Sequence, residues 1–372
     1  MCGAEAPAVA SPYVPHKRKV KVGTFNVLHS QTEEGDATLA ARLPLAAEAI
    51  VAADIDVIGL QEVTRNVNGP DADGTEVPQH HGFVAQRFAA ELARVTGQRW
   101  EYCWSRSNPH VPFTPDLLEG GGTPLDDLTA QMASFPDIQG GDFSEGLAIL
   151  SRLDIDSDAA RFRRLGNRLD EAPACVDESD PLCAPTVAFD ARQVLWAPIR
   201  RPALVGVPAS KLDFFTTHIA HGVTSESATT KAKQVQQAMD VVREWSSPDP
   251  WPDFLVGDFN SDPTTVDRYG AIVDGGFIDT FRAGGGAECL VPGDASCSGG
   301  PVPDAHGDTE SVSAGPARAM SARIDFIFAL PGASCALKAT DVSAVGHVAA
   351  PQPDGRWLWA SDHLGFRASV SC

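Results

Sequence analysis

Six short apolar runs along the 372 residues each meet a small cluster of polar side chains at one end. This recurring junction constrains the fold more than any bulk property does. The sharpest case is Leu255-Val256-Gly257-Asp258-Phe259-Asn260-Ser261. Side chains at i and i+2 of a strand point the same way, so Asp258 and Asn260 leave the strand end on one face. Asp and Asn also suit ordinary turns, so this segment alone leaves both readings open. Five others share the design. Thr24-Phe25-Asn26 ends the first long alternating run, Gln61-Glu62 follows DVIGL, and Thr217-His218 ends LDFFTT. Arg323-Ile324-Asp325 opens IDFIFAL, and Ser361-Asp362-His363 precedes the last apolar run. Polar strand ends of this kind are what a pocket at the edge of packed sheets requires.

The clusters run from position 26 to 363 and flank every long loop, so no cut yields two self-sufficient halves. We expect one domain over residues 18–372, behind a Pro/Ala-rich tail, residues 1–17, that is disordered or a tether. Strands are expected at Lys19–Val27, Asp56–Gln61, Leu147–Leu150, Val194–Trp196, Leu212–Thr217, Phe254–Val256, Ile324–Ala329 and Gly365–Val370. Ala37–Ala53 and Lys231–Trp245 read as helices. Gly82–Thr96 reads as an amphipathic one, with Phe83, Phe88, Leu92 and Val95 along a stripe. The Gly-, Pro- and Asp-rich connections Asn66–His81, Asn108–Gly141, Asp170–Pro185 and Gly284–Pro316 read as loop insertions.

The formal net charge of −20 repels polyanions at long range and argues against a sequence-reading DNA-binding protein. It leaves a nuclease open, because a divalent cation and a few arginines can reverse the field inside a cleft. No apolar run approaches the length of a bilayer span. Among eight cysteines, Cys175/Cys183 and Cys289/Cys297 share one spacing and bracket polar loops (CVDESDPLC and CLVPGDASC). Zinc sites want shorter clips and nearby histidines. We read two local disulfides on surface loops away from the chemistry, each worth roughly 2–3 kcal/mol, with reduced thiols as the alternative. Cys335 and Cys372 are candidates for a third bridge. Disulfides imply an oxidising compartment, hence a secreted or extracytoplasmic protein. The start, Met1-Cys2-Gly3-Ala4-Glu5-Ala6-Pro7, resembles a mature bacterial lipoprotein, which would place a lipid anchor at Cys2. A tail with an incidental cysteine is the other reading.

The blocks TFNVLHS, DVIGLQEV, EGLAILSR, THIAHG, LVGDFNSDP, RIDFIF and SDHLGF resemble, in order, the signature blocks of the endonuclease/exonuclease/phosphatase superfamily, the deoxyribonuclease I-like fold. The likeness covers about residues 19–371 and implies a secreted bacterial member. It implies an α+β fold, a four-layer α/β/β/α sandwich of two packed mixed β-sheets flanked by helices. It also implies a divalent-metal-dependent hydrolase of phosphoesters. Such hydrolysis needs neutralised phosphate oxygens, an activated in-line water and a stabilised leaving oxygen. Glu62 and Asp362 supply hard carboxylate ligands suited to Mg²⁺, with Mn²⁺ as a substitute, and Asn26 is expected to help hold the metal shell.

By the same resemblance Asp258 is matched to the water-orienting base and Asn260 to a phosphate or transition-state contact. His218 and His363 match two active-site histidines, with Asp325 the partner of His363 and Glu145 the partner of His218. Arg152 and Arg192 stand where relatives carry phosphate-facing or bracing basic residues, with a solvated surface arginine as the alternative for each. The cluster Arg161, Arg163, Arg164 and Arg168 reads as a solvated helix face or loop, with a basic rim of the site as the alternative. His221 stays open between lining the site and an ordinary role. His29, His80, His81, His110, His306 and His347 read as structural or exposed. GDFNSDPTT, Tyr269 and Gly276-Phe277-Ile278-Asp279-Thr280 are similar to deadenylase-like and secreted bacterial members. His218 stands where repair endonucleases carry asparagine, which argues against an abasic-site enzyme. The expected activity is a secreted phosphodiesterase acting on nucleic acid, working as a monomer. Alternatives are a phospholipid or sphingomyelin phosphodiesterase and an inositol- or sugar-phosphate phosphatase. From another class comes a surface lipoprotein that keeps the fold for binding alone, against which the full set of polar residues speaks.

Overall fold

Alternation of branched apolar residues gives each strand two faces, and here both faces find partners. The computed structural model describes residues 2–11, 13, 19–28, 39–63, 84–107, 146–166, 192–203, 209–220, 225–248, 251–290, 292, 296–301, 320–332, 335–353 and 357–372. Seven strands form a first mixed sheet: β1 (Cys2–Glu5), β2 (Lys19–Asn26), β3 (Val57–Gln61), β4 (Trp100–Arg106), β5 (Gly146–Ser151), β15 (Lys338–Val345) and β18 (Gly365–Ser371), in the order β1-β4-β5-β3-β2-β18-β15. The second holds β6 (Asp154–Ile155), β7 (Arg161–Leu165), β8 (Arg192–Arg201), β9 (Ser210–His218), β10 (Asp253–Asp258), β11 (Ile278–Asp279) and β14 (Asp325–Leu330). Its order is β11-β14-β10-β9-β8-β6, with β7 also on β8. Two small ribbons, β12 (Gly299–Pro301) with β13 (Met320–Ala322) and β16 (Ala350–Pro351) with β17 (Trp357–Leu358), lie outside these sheets.

The sheets pack face to face. Val20, Val22, Val57 and Ile149 of the first meet Leu195, Phe214, Phe254, Val256 and Ile327 of the second in one buried cluster. The alternate residues point outward, as the period of two demands. Ile58, Leu60 and Leu150 pack under helices α1 (Leu39–Ala52) and α2 (Val84–Thr96), while Phe215, Leu255 and Phe328 pack under α3 (Ser225–Trp245). Helix α2 buries Val84, Ala85, Phe88, Ala89, Leu92 and Ala93, one stripe at helical spacing. This is the four-layer sandwich that the resemblance implied. Shorter helical turns follow β10: a π-turn at Val266–Gly270, α4 (Ala271–Asp274) and α5 (Thr280–Ala283), the last capped by Asp279.

Three sequence expectations need correction. Cys2–Glu5, placed in the tail, forms edge strand β1 against β4, with Cys2 opposite Cys103. The Cys2 sulfur is bonded to Cys103, so it cannot at the same time carry a lipid thioether. Arg161, Arg163 and Arg164 lie on strand β7, not on a helix or loop. There Arg163 forks onto Glu244, and the Arg161 guanidinium stacks on Trp245 at 4.1 Å. The Cys289–Cys297 and Cys335–Cys372 bridges are both present. Cys175, Cys183, Arg168, His221 and the loops 66–81, 108–141 and 170–185 lie outside the described residues, as do His29, His80, His81, His110 and His306. His347 is exposed, as expected.

Candidate active site

Strand direction decides which polar ends meet. β2 runs parallel to β3 with Asn26 opposite Gln61, and β9 runs parallel to β10 with His218 opposite Asp258. β14 runs the other way, so its first residue, Asp325, stands opposite Asp258. β18 is antiparallel to β2, and the turn before it places Ser361 Oγ 2.6 Å from the Asn26 carbonyl. Asn26, Glu62, His218, Asp258, Asn260, Asp325, Asp362 and His363 therefore gather at one end of the sandwich.

Gly257 permits this convergence. Its φ is +152°, and a Cβ there would sit 2.0 Å from the Thr217 carbonyl oxygen. Left-handed backbone recurs at the strand ends, at Leu28 (φ 54°), Glu62 (φ 60°) and Asn260 (φ 46°). Non-glycine residues hold such angles only where their surroundings compel them. For Asn260 part of the compulsion is visible: Lys231 of α3 donates to its carbonyl at 2.7 Å and Asp258 Oδ1 accepts from its amide at 2.8 Å. Burial, then the Arg268 charge, pulls the Lys231 ammonium below its ordinary value.

Asp258 Oδ2 is the centre of the cluster. Asn26 Nδ2 donates to it at 3.2 Å, His218 Nε2 lies at 3.6 Å and His363 Nε2 at 3.7 Å. Asn26 Nδ2 also donates to Glu62 Oε1 at 2.8 Å, while its Oδ1 accepts from the Leu28 amide at 3.1 Å. A backbone N–H can only donate, so that contact fixes the amide orientation and turns the Asn26 nitrogen toward the two carboxylates.

The two histidines are held differently. His363 Nδ1 meets Asp325 Oδ2 at 3.0 Å, with Asp325 fully buried and His363 nearly so. Burial alone would lower the His363 pKa, but Asp325, Asp362 and Asp258 together raise it well above the usual imidazole range. Burial lifts the Asp325 carboxyl above the usual carboxylate range, with His363 and the Ser298 hydroxyl pulling the other way. The surrounding carboxylates thus favour the charged form of His363, whose Nε2 faces Asp258. His218 instead presents Nδ1 to Arg192 Nη1 at 3.0 Å. Arginine has only donors, so Nδ1 accepts and the proton sits on Nε2. Asn260 Nδ2 lies 3.2 Å from that nitrogen but spends a hydrogen on the Ile219 carbonyl at 3.0 Å. Two donors face one another there, so we do not count the Asn260–His218 approach as a hydrogen bond. Glu145, the expected partner of His218, lies outside the described residues.

Arg192 therefore belongs to the site, and Arg152 does not. β5 runs antiparallel to β3, which puts Gly146 at the site end and Ser151-Arg152 at the far end. There Arg152 pairs with Asp54 and Asp56 and stacks on Tyr13 at 4.3 Å. A residue following a strand is at the site only if that strand runs toward it.

Sequence reasoning missed Arg42 on α1. This fully buried guanidinium donates to the carbonyls of Val27 at 2.7 Å, Ala360 at 3.1 Å and Leu28 at 3.3 Å. Burial lowers its pKa to about 10, and the Asp362 and Glu62 carboxylates raise it in part. It also missed Ser298, whose hydroxyl accepts from the amides of Ile324 and Asp325.

Several groups here could hold a cation. Asp258, Asp325 and His363 offer ligand atoms all within 4.8 Å of one another. Asp325 is fully buried and its His363 contact is already made. Glu62 and Asp362 are instead partly exposed, as ligands of a hard cation that retains waters must be. Asn26 Nδ2 links Glu62 to Asp258, and Arg42 feels the charges of Asp362 and Glu62, so this end of the sandwich is rich in carboxylate oxygens. That chemistry fits a divalent cation.

A family model, the Endonuclease/Exonuclease/phosphatase family, matches residues 23–363. The chain belongs to this family. Its members are generally phosphoester hydrolases. Among solved structures the chain is similar to an endonuclease/exonuclease/phosphatase from Beutenbergia cavernae DSM 12333, at 20% identity over 95% of this chain and 72% of that one, TM-score 0.55. It is also similar to the mannosyl-6-phosphatase Bt3783 of Bacteroides thetaiotaomicron VPI-5482, at 17% identity over 95% and 100%, TM-score 0.54. TDP2 from C. elegans aligns at 16% identity over 95% and 75%, TM-score 0.51. At these identities the likeness is one of fold. No curated protein matches the chain.

Proposed function

We propose that this member of the endonuclease/exonuclease/phosphatase family is a divalent-metal-dependent phosphodiesterase acting on nucleic acid in an oxidising, extracytoplasmic compartment. The observation that carries the reading is the convergence on Asp258 Oδ2 of Asn26, His218 and His363, each from a different segment. Glu62 and Asp362, with Asp258 beside them, would hold Mg²⁺ or Mn²⁺. Such an ion neutralises phosphate oxygens as charge develops.

The chain's own groups supply the rest. Asp258 is placed to accept a proton as water adds to phosphorus. His363, charged and aimed through Nε2, is placed to give a proton to the leaving oxygen as its bond to phosphorus breaks. His218 Nε2–H and the Arg192 charge behind it face the phosphate oxygens, and Asn260 lies beside them. Protonating the leaving oxygen matters most when it is an alkoxide, as in a nucleic-acid diester. The disulfides Cys2–Cys103, Cys289–Cys297 and Cys335–Cys372 support the compartment. The chain's large negative charge confines attraction for a polyanion to the site itself.

The test is a panel of plasmid DNA, RNA, sphingomyelin, phosphoinositide and sugar phosphate, with and without chelator, beside Glu62→Gln. We expect chelator-sensitive cleavage of nucleic acid and at least roughly a 10²-fold loss in a folded Glu62→Gln protein. Full turnover after exhaustive metal removal overturns the metal reading. Hydrolysis of the monoester alone overturns the substrate.

A further inference from the structure

Outside the groups that face the substrate lies a loop that grips the strand carrying Asp325. Its described ends are Glu288–Leu290 and Ser296–Gly299, joined covalently by Cys289–Cys297. One end is fixed by Glu288, which accepts from Arg323 Nη2 at 2.7 Å and Nε at 3.3 Å. Arg323 is itself fully buried and bonded to Asp279 at 2.7 Å. The other end is fixed by Ser298, also fully buried. Its Oγ accepts from the amides of Ile324 at 3.1 Å and Asp325 at 3.0 Å, and its amide donates to the Ala322 carbonyl at 2.8 Å. Its carbonyl accepts from the Leu364 amide at 2.7 Å.

Ser298 alone thus ties the start of β14, where Asp325 sits, to the residue after His363. Packing closes the same joint. A Cβ on Gly299 would lie 2.5 Å from Ile324 Cδ1 and 3.1 Å from His363 Cε1, so a larger residue there would press on Ile324 and the imidazole. The disulfide was expected away from the chemistry. Instead Cys297 is fully buried, one residue from the group that fixes the Asp325–His363 distance.

We propose that Ser298 is a positioning residue for the Asp325–His363 pair, and that the Cys289–Cys297 bond keeps it in place by locking the loop across Arg323–Asp325. This rests on the reading of His363 as the proton donor to the leaving oxygen. A proton donor displaced by a fraction of an ångström loses much of its effect, because catalysis depends on alignment as well as on presence. Ser298 therefore acts on turnover without touching substrate.

The experiment compares wild type, Ser298→Ala and the double variant Cys289→Ser/Cys297→Ser. Two readouts are taken: steady-state kinetics on the best substrate of the panel, and the proton NMR resonance of the His363 Nδ1–H held by Asp325. Far- and near-ultraviolet circular dichroism reports folding. Both variants should fold, keep KM within about 3-fold, lose about 10-fold or more in kcat, and lose or broaden the imidazole resonance. A merely structural role would lower the unfolding midpoint and leave kcat of the folded protein unchanged. If Ser298→Ala fails to fold, the double cysteine variant decides. A folded variant that keeps the resonance and wild-type kcat overturns the proposal. If wild type hydrolyses nothing on the panel, the functional reading falls, and the resonance still decides whether Ser298 sets the pair.

Discussion

At the scale of residues the site depends on one group that touches no substrate. Arg42 carries its charge with no exposed surface and spends it on three backbone carbonyls, two after Asn26 and one before Ser361. Arg42→Leu leaves those carbonyls buried and removes the cation beside Glu62 and Asp362. We expect about 3 kcal/mol or more of lost stability by chemical denaturation, and a fall in turnover that added stabiliser does not restore. Arg42→Lys should recover little, since one ammonium cannot span three acceptors set along a fork. Nothing local marks this arginine. In LAARLPLAAEAIVA it looks like the solvated residue of an amphipathic turn, because its partners stand 14 to 318 positions away. Asn26, Glu62, His218, Asp258, Asp325 and His363 were legible for the opposite reason: each ends or begins an apolar run, and the run is local. Arg152 shared that signature and was misplaced. A strand end is visible in sequence, whereas which end faces the site is set by pairing direction.

Elements show the same division. β2, β3, β5, β9, β10, β14 and β18 announce themselves by branched apolar alternation, and their register brings the polar ends together. β4, β7 and β15 do not. Arg161–Leu165 exposes four of its five residues to some degree and finds its partners, Trp245 and Glu244, on a helix far along the chain. Within β10 one residue controls the joint with β9. Gly257→Ala would set a methyl 2.0 Å from the Thr217 carbonyl in a left-handed backbone, so the two strands must part where His218 and Asp258 face each other. We expect a loss of about 3 kcal/mol or more, above the usual overpacking range, with the urea midpoint as the measure. A variant of wild-type midpoint would show that the β9–β10 contact is looser than described.

For the molecule as a whole, three phenols and three described disulfides tie distant parts to the sandwich. Every tyrosine in the chain is shifted up: Tyr269 to about 12 by burial and then Asp279, Tyr13 by burial and then Asp56, Tyr102 by burial and then Glu5. A phenol that holds its proton more tightly when folded gives full stability below its unfolded pKa near 10. Above that the unfolded chain ionises first, and stability falls as pH rises. Native protein should therefore show almost no tyrosinate absorbance at pH 10, and the signal should appear together with loss of circular dichroism. Tyrosinate appearing in a folded protein at that pH would contradict the burial. Cys2–Cys103 closes the longest described covalent loop, 101 residues. Cys2→Ser/Cys103→Ser should cost about 2–4 kcal/mol in thermal and urea unfolding. The bond also governs how copies meet. Held on β4, Cys2–Glu5 occupies the outer row of amides and carbonyls along Trp100–Cys103, which would otherwise be open to another extended chain. A copy deprived of residues 2–5 becomes a host, and an unlatched neighbour becomes a donor. If each donor is also a host, such an exchange runs head to tail with no stopping point, and a four-residue strand with one sulfur bond stands against it.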